Sequence, residues 1–327
     1  MTAPFAFLLD AFGPDRVRLD VALAPFTTFR VGGPADCLVE VRGPGELVRL
    51  LQLAYANGLP VTVLGGGSNA LVSDAGIRGV SVRVRGGVPD LDGASHVRAD
   101  AGVTLNSLVR WTIGRGLAAL EAWAGTPGTV GGAVFGNAHY GGRSIGELIQ
   151  SARVADVRGE VLDVPAADME FAYDRSRLQR TGEVLLSARF VVTPGADPAA
   201  LRETARRSLA HRKRTQPLDT PSAGCIFQNP DPAVDAVPDG IPASAGALID
   251  RAGLKGHTIG GASVSTGHAN FIVNAAGATA TDIRQLIDVC RTTVRDRFGV
   301  TLREEIRYLG EWTAGIEDEK RKLQDAE

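Results

Sequence analysis

The glycines of this chain are clustered, and two of the clusters restrict its fold more than any other feature. One is Gly65-Gly66-Gly67-Ser68-Asn69, entered directly from the apolar run Val61 to Leu64. The other is the 18-residue stretch Gly125 to Gly142, with glycines at 125, 128, 131, 132, 136, 141 and 142 and an asparagine at 137. Forty glycines in 327 residues is about 12%, against roughly 7% in ordinary chains, and they follow no collagen-like period. Backbone N–H groups freed by glycine can point together at a phosphate, and Ser68 and Asn69 would add side-chain donors. Taken alone, the shorter cluster reads better as a tight turn between strands, because it is neither a GxGxxG nor a Walker sequence. The longer stretch is too glycine-rich for a regular element to be expected, and an irregular stretch of that length inside a domain is usually functional. Together the two suit close backbone approach to a large, dinucleotide-like ligand bound through its diphosphate.

The rest of the chain reads as alternating helices and strands. Ala35 to Val41 is β-rich, and Leu47, Leu50, Leu51 and Ala54 recur at helical spacing before Asn57-Gly58 stops them. Further strands are expected at Val61 to Leu64, Val80 to Val84, near His96, at Ser151 to Val157 and at Val184 to Val192. A helix is expected through Leu105, Leu108 and Val109, ending near Gly114 to Gly116. Asp197-Pro198 is a cap and first residue for a helix carrying Leu201, Ala205 and Leu209, with the basic exit Arg212-Lys213-Arg214. Thr281 to Phe298 is the clearest helix, and Gly299 stops it.

Composition narrows the partners. A formal net charge of −2 gives no reason to expect nucleic acid or an anionic membrane. No apolar run approaches the roughly 20 residues that span a bilayer, and the N-terminus lacks the basic region and cleavage site of a signal peptide. Cys37, Cys225 and Cys290 are odd in number and scattered, so a disulfide framework is not expected and a reduced, cytoplasmic compartment fits. The five histidines show no metal-site spacing, and no metal is expected.

Several segments then resemble one family in order and spacing. They are Thr28-Phe-Arg-Val-Gly-Gly-Pro-Ala-Asp36, Leu64-Gly-Gly-Gly-Ser-Asn69, Gly125-Thr-Pro-Gly-Thr-Val-Gly-Gly132, Gln216-Pro217, Ala223-Gly-Cys-Ile-Phe-Gln-Asn-Pro230, Ala247 to Gly256, Ser265-Thr-Gly-His-Ala-Asn-Phe-Ile-Val-Asn274 and Glu305-Ile-Arg-Tyr-Leu-Gly310. The chain resembles the UDP-N-acetylenolpyruvoylglucosamine reductase (MurB) family over nearly its whole length. The resemblance implies an α+β protein: an FAD-binding fold of the vanillyl-alcohol-oxidase type in two subdomains, followed by an α+β substrate-binding domain. We place the subdomains at 1–90 and 91–196, the substrate domain at 197–311 and a charged tail at 312–327. The short spacing after Ser176 implies the subtype without the tyrosine-bearing substrate loop. The resemblance also implies that NADPH reduces FAD, that the flavin passes hydride to C3 of UDP-N-acetylglucosamine enolpyruvate, and that protonation at C2 completes UDP-N-acetylmuramate. A monomer is expected.

Hydride addition leaves negative charge on an enolate-like intermediate, so the site needs donors at the carboxylate and an acid for C2. In the family the acid is a serine in a Gly-Ser-x-Phe-x-Asn-Pro motif, and Cys225 stands there. A thiol of pKa about 8.5 is mostly protonated at neutral pH and can serve, whereas a free cysteine is otherwise a small buried residue. Glu305 matches the family's C-terminal glutamate. Alternation puts it on the face of Arg303 and Arg307, which on its own suggests a solvated ion pair, and Glu304 is the fallback. The family's Tyr-Arg-x-Ser pattern reads Tyr173-Asp174-Arg175-Ser176 here, so Arg175 is the candidate and Arg177 the alternative. The resemblance also implies cofactor contacts from Gly65, Gly66, Gly67, Ser68, Asn69, Gly125, Thr126, Gly128, Gly131, Gly132, Asn137 and Gly141. Asn229, Lys255, His268, Asn270 and Arg214 are the candidate substrate ligands, although a lone histidine is usually structural and a charge run usually solvated. Another oxidase or dehydrogenase of the same fold, or a flavin-binding protein without catalysis, are the competing readings.

Overall fold

The computed structural model describes residues 4–312; beyond Trp312 the expected charged tail lies outside the described residues. The chain divides into two units. One takes in residues up to Arg18, Leu38–Ser68 and Ser81–Asp219, and the other Leu19–Cys37, Asn69–Val80 and the chain from Thr220.

The first unit contains an antiparallel sheet of five strands in the order Val161–Pro165, Ile149–Ala155, Val184–Val191, His96–Asp100, Asp90–Leu91. Helix Gly43–Ala56 buries Leu47, Leu50, Leu51 and Ala54, the stripe that its spacing predicts. Helix Pro198–Thr215 starts where Asp197 accepts a hydrogen bond from the Ala199 amide at 2.9 Å.

The stretch Gly125 to Gly142 departs from its reading as wholly irregular. Val130–Phe135 is a short helix, capped by Thr129, whose hydroxyl accepts from the Gly132 amide. Two glycines in six residues oppose a helix by propensity, so tertiary contacts decide the outcome. The Gly131 amide donates to Ala101 O at 2.9 Å, and a Cβ on Gly131 would stand 3.2 Å from the Ala101 methyl. After the helix, His139–Tyr140 pairs with Arg143–Ser144 around Gly141-Gly142. Both of these glycines have positive φ, +61° and +79°, as a two-residue hairpin loop of this hand requires.

In the second unit, strands Ser222–Cys225, Phe271–Asn274, Ala262–Val264 and Thr258–Ile259 form an antiparallel sheet in that order. Helix Ala280–Phe298 buries Ile283, Leu286, Ile287, Cys290 and Val294 in one core with Phe29, Leu71, Ile226, Phe227, Leu248 and Ile272. Thr279 and Asp282 form a capping box at its start, and Gly299, at φ +70°, ends it. Asp74 adds a further cap: its carboxylate accepts from the amides of Ala280 and Thr281 at 2.8 and 2.9 Å. Arg307–Leu309 pairs in parallel with Ala70–Val72.

Candidate active site

Both glycine clusters have a backbone reason to be glycine. A Cβ on Gly66 would lie 2.6 Å from Gly128 Cα, one on Gly65 2.8 Å from Thr129 Oγ1, and one on Gly128 2.8 Å from Ser68 Oγ. Gly65 to Ser68 and Gly128 to Thr129 therefore lie main chain against main chain. Gly132 differs, since the nearest atom to its added Cβ is 3.8 Å away. Gly125, at φ +82°, donates to Asn106 Oδ1 at 2.7 Å, and Thr126 Oγ1 accepts from Arg212 at 2.7 Å. Asn69 donates to Glu305 O at 3.2 Å, while its Oδ1 is buried with no hydrogen-bond partner among the described residues. A bound group carrying a donor would satisfy that acceptor.

Asn137 holds the protein together locally. Its Nδ2 donates to Ala172 O at 2.7 Å, and its Oδ1 accepts from the Gly146 amide at 2.9 Å. Gly141 is placed by the hairpin turn.

Cys225 ends its strand after Gly224, whose φ of +83° accompanies an irregularity in the pairing with Phe271–Asn274. The next residue joins two other segments: the Ile226 amide donates to Asn270 O at 2.9 Å, and Ile226 O accepts from the Glu305 amide at 2.8 Å. Cys225 and Glu305 therefore flank one main-chain junction. Asn270, only 3% exposed, clamps the following residue, accepting from the Phe227 amide at 3.0 Å and donating to Phe227 O at 2.7 Å. Asn229 Oδ1 accepts from the Ala245 amide at 3.1 Å. Cys225 is the half-buried thiol of the three. Burial pushes Cys37 up to about 11 and Cys290 up to about 12, which keeps both protonated and unreactive.

The two neighbouring glutamates separate clearly. Glu304 accepts from Arg284 at 3.1 Å and from Arg291 at 3.4 Å. Phe227 and Glu304 are bridged directly, and alternation turns the next residue, Glu305, to the other face. Arg303 pairs with Asp235 at 2.7 Å.

His268 accepts from the Asn270 amide at Nδ1 (3.3 Å), meets the Phe271 ring edge-on, and has its pKa lowered by burial, so it stays neutral. Lys255 forms an ion pair with Asp250 at 2.6 Å. Arg214 is exposed at the end of its helix, and it is Arg212, 7% exposed, that turns inward onto Thr126 and the face of the Tyr140 ring. The helical stripe Leu201, Ala205, Ser208 could have pointed to Arg212; the basic run around it concealed the signal.

Arg177 grips Glu183 with two bonds of 2.8 and 2.9 Å. Arg175 is exposed at the end of a turn in which Ala172 and Arg175 exchange main-chain hydrogen bonds. Within that turn Asp174 has φ +53° and a buried carboxylate, 3.0 Å from His139 Nδ1. Sequence alone does not disclose that pair, because Asp174 reads as an interruption and His139 as a lone histidine.

Residues 216–309 match the family of UDP-N-acetylenolpyruvoylglucosamine reductase C-terminal domains, and residues 35–165 match the FAD-binding domain family. The UDP-N-acetylenolpyruvoylglucosamine reductase of a Synechococcus species is 40% identical over 297 residues, covering 90% of this chain and 92% of its own. The second such reductase of Symbiobacterium thermophilum is 42% identical over 299 residues, covering 91% and 93%. The chain belongs to the UDP-N-acetylenolpyruvoylglucosamine reductase family. The crystal structure of the family member from Thermus caldophilus superposes with a TM-score of 0.74 at 32% identity, covering 90% of this chain and 99% of that one. Membership accounts for the mixed helix and strand content: an FAD-binding domain precedes the C-terminal domain of the reductase family.

Proposed function

We propose that the protein reduces the enolpyruvyl ether of UDP-N-acetylglucosamine enolpyruvate to UDP-N-acetylmuramate, with NADPH as reductant and FAD as bound cofactor. The observation that carries the reading is the junction at Ile226, where the candidate acid Cys225 and the candidate glutamate Glu305 flank one hydrogen bond. When bound, FAD supplies the hydride that adds at C3 of the substrate. Gly65, Gly66, Gly67, Ser68 and Gly128 would approach its diphosphate through the main chain, and Gly125, Thr126, Gly131 and Gly132, whose amides donate within the protein, would line the same site. Asn69 would take a donor at its buried Oδ1.

Cys225 gives its proton to C2 and is reprotonated from solvent. Glu305 carries charge beside the acid, and Arg175 neutralises the substrate carboxylate, a role that Arg177 fills poorly while its guanidinium grips Glu183. Asn270 positions the segment that carries Cys225. Lys255, His268, Asn229 and Arg214 remain candidates for the sugar nucleotide and NADPH. On this reading residues 1–90 and 91–196 serve the flavin and 197–311 the substrate, in the subtype without the tyrosine loop. The protein acts as a cytoplasmic monomer in peptidoglycan synthesis, and so in cell shape and division. No helix among the described residues is long and apolar enough to cross a membrane.

The test is product identity. NADPH oxidation should depend on the enolpyruvyl substrate and yield a product heavier by two hydrogens. NADPH oxidation that ignores this substrate, with hydrogen peroxide as the product, would instead fit an oxidase of the same fold.

A further inference from the structure

The first unit holds a cavity of about 320 Å³ whose wall includes His139, Arg143, Glu147, Phe171, Tyr173 and Asp174. Asp174 is 6% exposed and its Oδ1 lies 3.0 Å from His139 Nδ1. A carboxylate only accepts, so the shared proton belongs to Nδ1, and the other polar atom of the ring is Nε2. The Tyr173 ring lies 4.8 Å from the imidazole, tilted by 38°, and fixes the plane of the ring further.

This pair is more than a latch between the loop and the turn. Asn137 already makes that join, its Nδ2 donating to Ala172 O at 2.7 Å while its Oδ1 accepts from the Gly146 amide. His139 keeps 34% of its side chain exposed at the wall of the cavity. The charged groups around it are Asp174, Glu147 and Arg143, with Arg175 leaving the same turn. With a neutral imidazole the three on the wall sum to one negative charge, and with a charged one they sum to zero. Arg143 meets Glu147 only at 3.6 Å with both side chains about half exposed, so it can turn to an incoming anion at little cost.

We propose that His139, oriented by Asp174, donates to an anionic oxygen of a ligand in this cavity, a carboxylate or a phosphate, with Arg143 as the cation. The choice of ligands rests on the reductase reading: the carboxylate would belong to the enolpyruvyl substrate and the phosphate to NADPH. His139 binds the ligand, and Asp174 is a positioning residue.

Asparagine places its amide where Nδ1 lies and glutamine where Nε2 lies, so two substitutions separate the roles. In the holoenzyme, His139→Asn keeps a donor to Asp174 and should retain flavin content and thermal midpoint. Loss of a hydrogen bond to a charged oxygen should raise one KM about tenfold or more while kcat changes less. A rise for the enolpyruvyl substrate identifies the carboxylate, and a rise for NADPH identifies the phosphate. His139→Gln should be less impaired in that KM and less stable. Independently of turnover, the His139 ring resonance of the wild type should shift on adding inorganic phosphate or pyruvate, and shift less in Asp174→Asn. Wild-type KM values in His139→Asn, or a ring resonance indifferent to both anions, overturns the proposal. So does an equal rise in both KM values together with loss of flavin, which marks a latch. If the wild type does not consume the enolpyruvyl substrate, the reductase reading falls, and the ring titration alone decides for or against the anion site.

Discussion

Gly66 and Gly128 pack main chain to main chain, so closely that a methyl on Gly66 would stand 2.6 Å from the Cα of Gly128. Two segments more than fifty residues apart in sequence are thus fitted to each other. Gly66→Ala should lose stability by about 1–3 kcal/mol, the usual cost of overpacking, and lose flavin with it. Gly132→Ala meets nothing nearer than 3.8 Å and should keep its thermal midpoint. If the Gly132 backbone borders the cofactor, that variant purifies folded but colourless. Thermal melts beside absorbance of the purified proteins check both.

Glu304 is held by Arg284 and Arg291, and Glu305 is the glutamate proposed to act in the chemistry. Glu305→Gln should reduce kcat by about 100-fold or more, as expected for a group acting on the reacting centre, with the fold intact. Glu304→Gln leaves Arg284, 11% exposed, without full charge compensation, and should lower stability more than kcat. Steady-state rates and denaturant midpoints on the two variants separate the roles; equal effects would refute them.

Cys225 should be replaceable by the hydroxyl that the family uses. Cys225→Ser should retain most turnover, and Cys225→Ala should lose about 100-fold or more, the usual contribution of a general acid. Undiminished enolpyruvate reduction by the alanine variant would remove Cys225 from the chemistry.

These residues also mark what could be read without the structure. Ala280–Phe298 was legible because its apolar period, cap and terminal glycine all agree locally. Val130–Phe135 was not, because its stability comes from Thr129 and from Ala101, in the turn after strand His96–Asp100. Periodicity set Glu305 apart from Glu304 by face but could not say which one was already engaged. That depended on Arg284 and Arg291, carried by a separate helix. Arg212 and Arg214 lie in one basic run, and only packing shows which of them turns inward. The His139–Asp174 pair joins positions that no sequence period relates.

Asp74 caps a helix more than two hundred residues further along the chain. Asp74→Ala should cost about 1–2 kcal/mol, the value of an N-terminal cap with a favourable charge at the helix end. Urea unfolding with an unchanged slope would read it out, and a loss below a few tenths of a kcal/mol would contradict the assigned role.

Burial lowers the pKa of His268 below its unfolded value, so the unfolded state binds the proton more readily. Stability associated with His268 is therefore complete above about pH 6.5 and declines as pH falls below that value. Melting temperatures between neutral pH and pH 5 should fall for the wild type and fall less steeply for His268→Gln. Parallel curves would contradict a neutral, half-buried His268.

On the reductase reading, reduced flavin in this protein is discharged by one enolpyruvyl ether. Anaerobic stopped-flow absorbance tests it most directly. NADPH should bleach the visible flavin band, and UDP-N-acetylglucosamine enolpyruvate, added without oxygen, should restore it within one turnover. Colour that returns only when oxygen is admitted would contradict that reading.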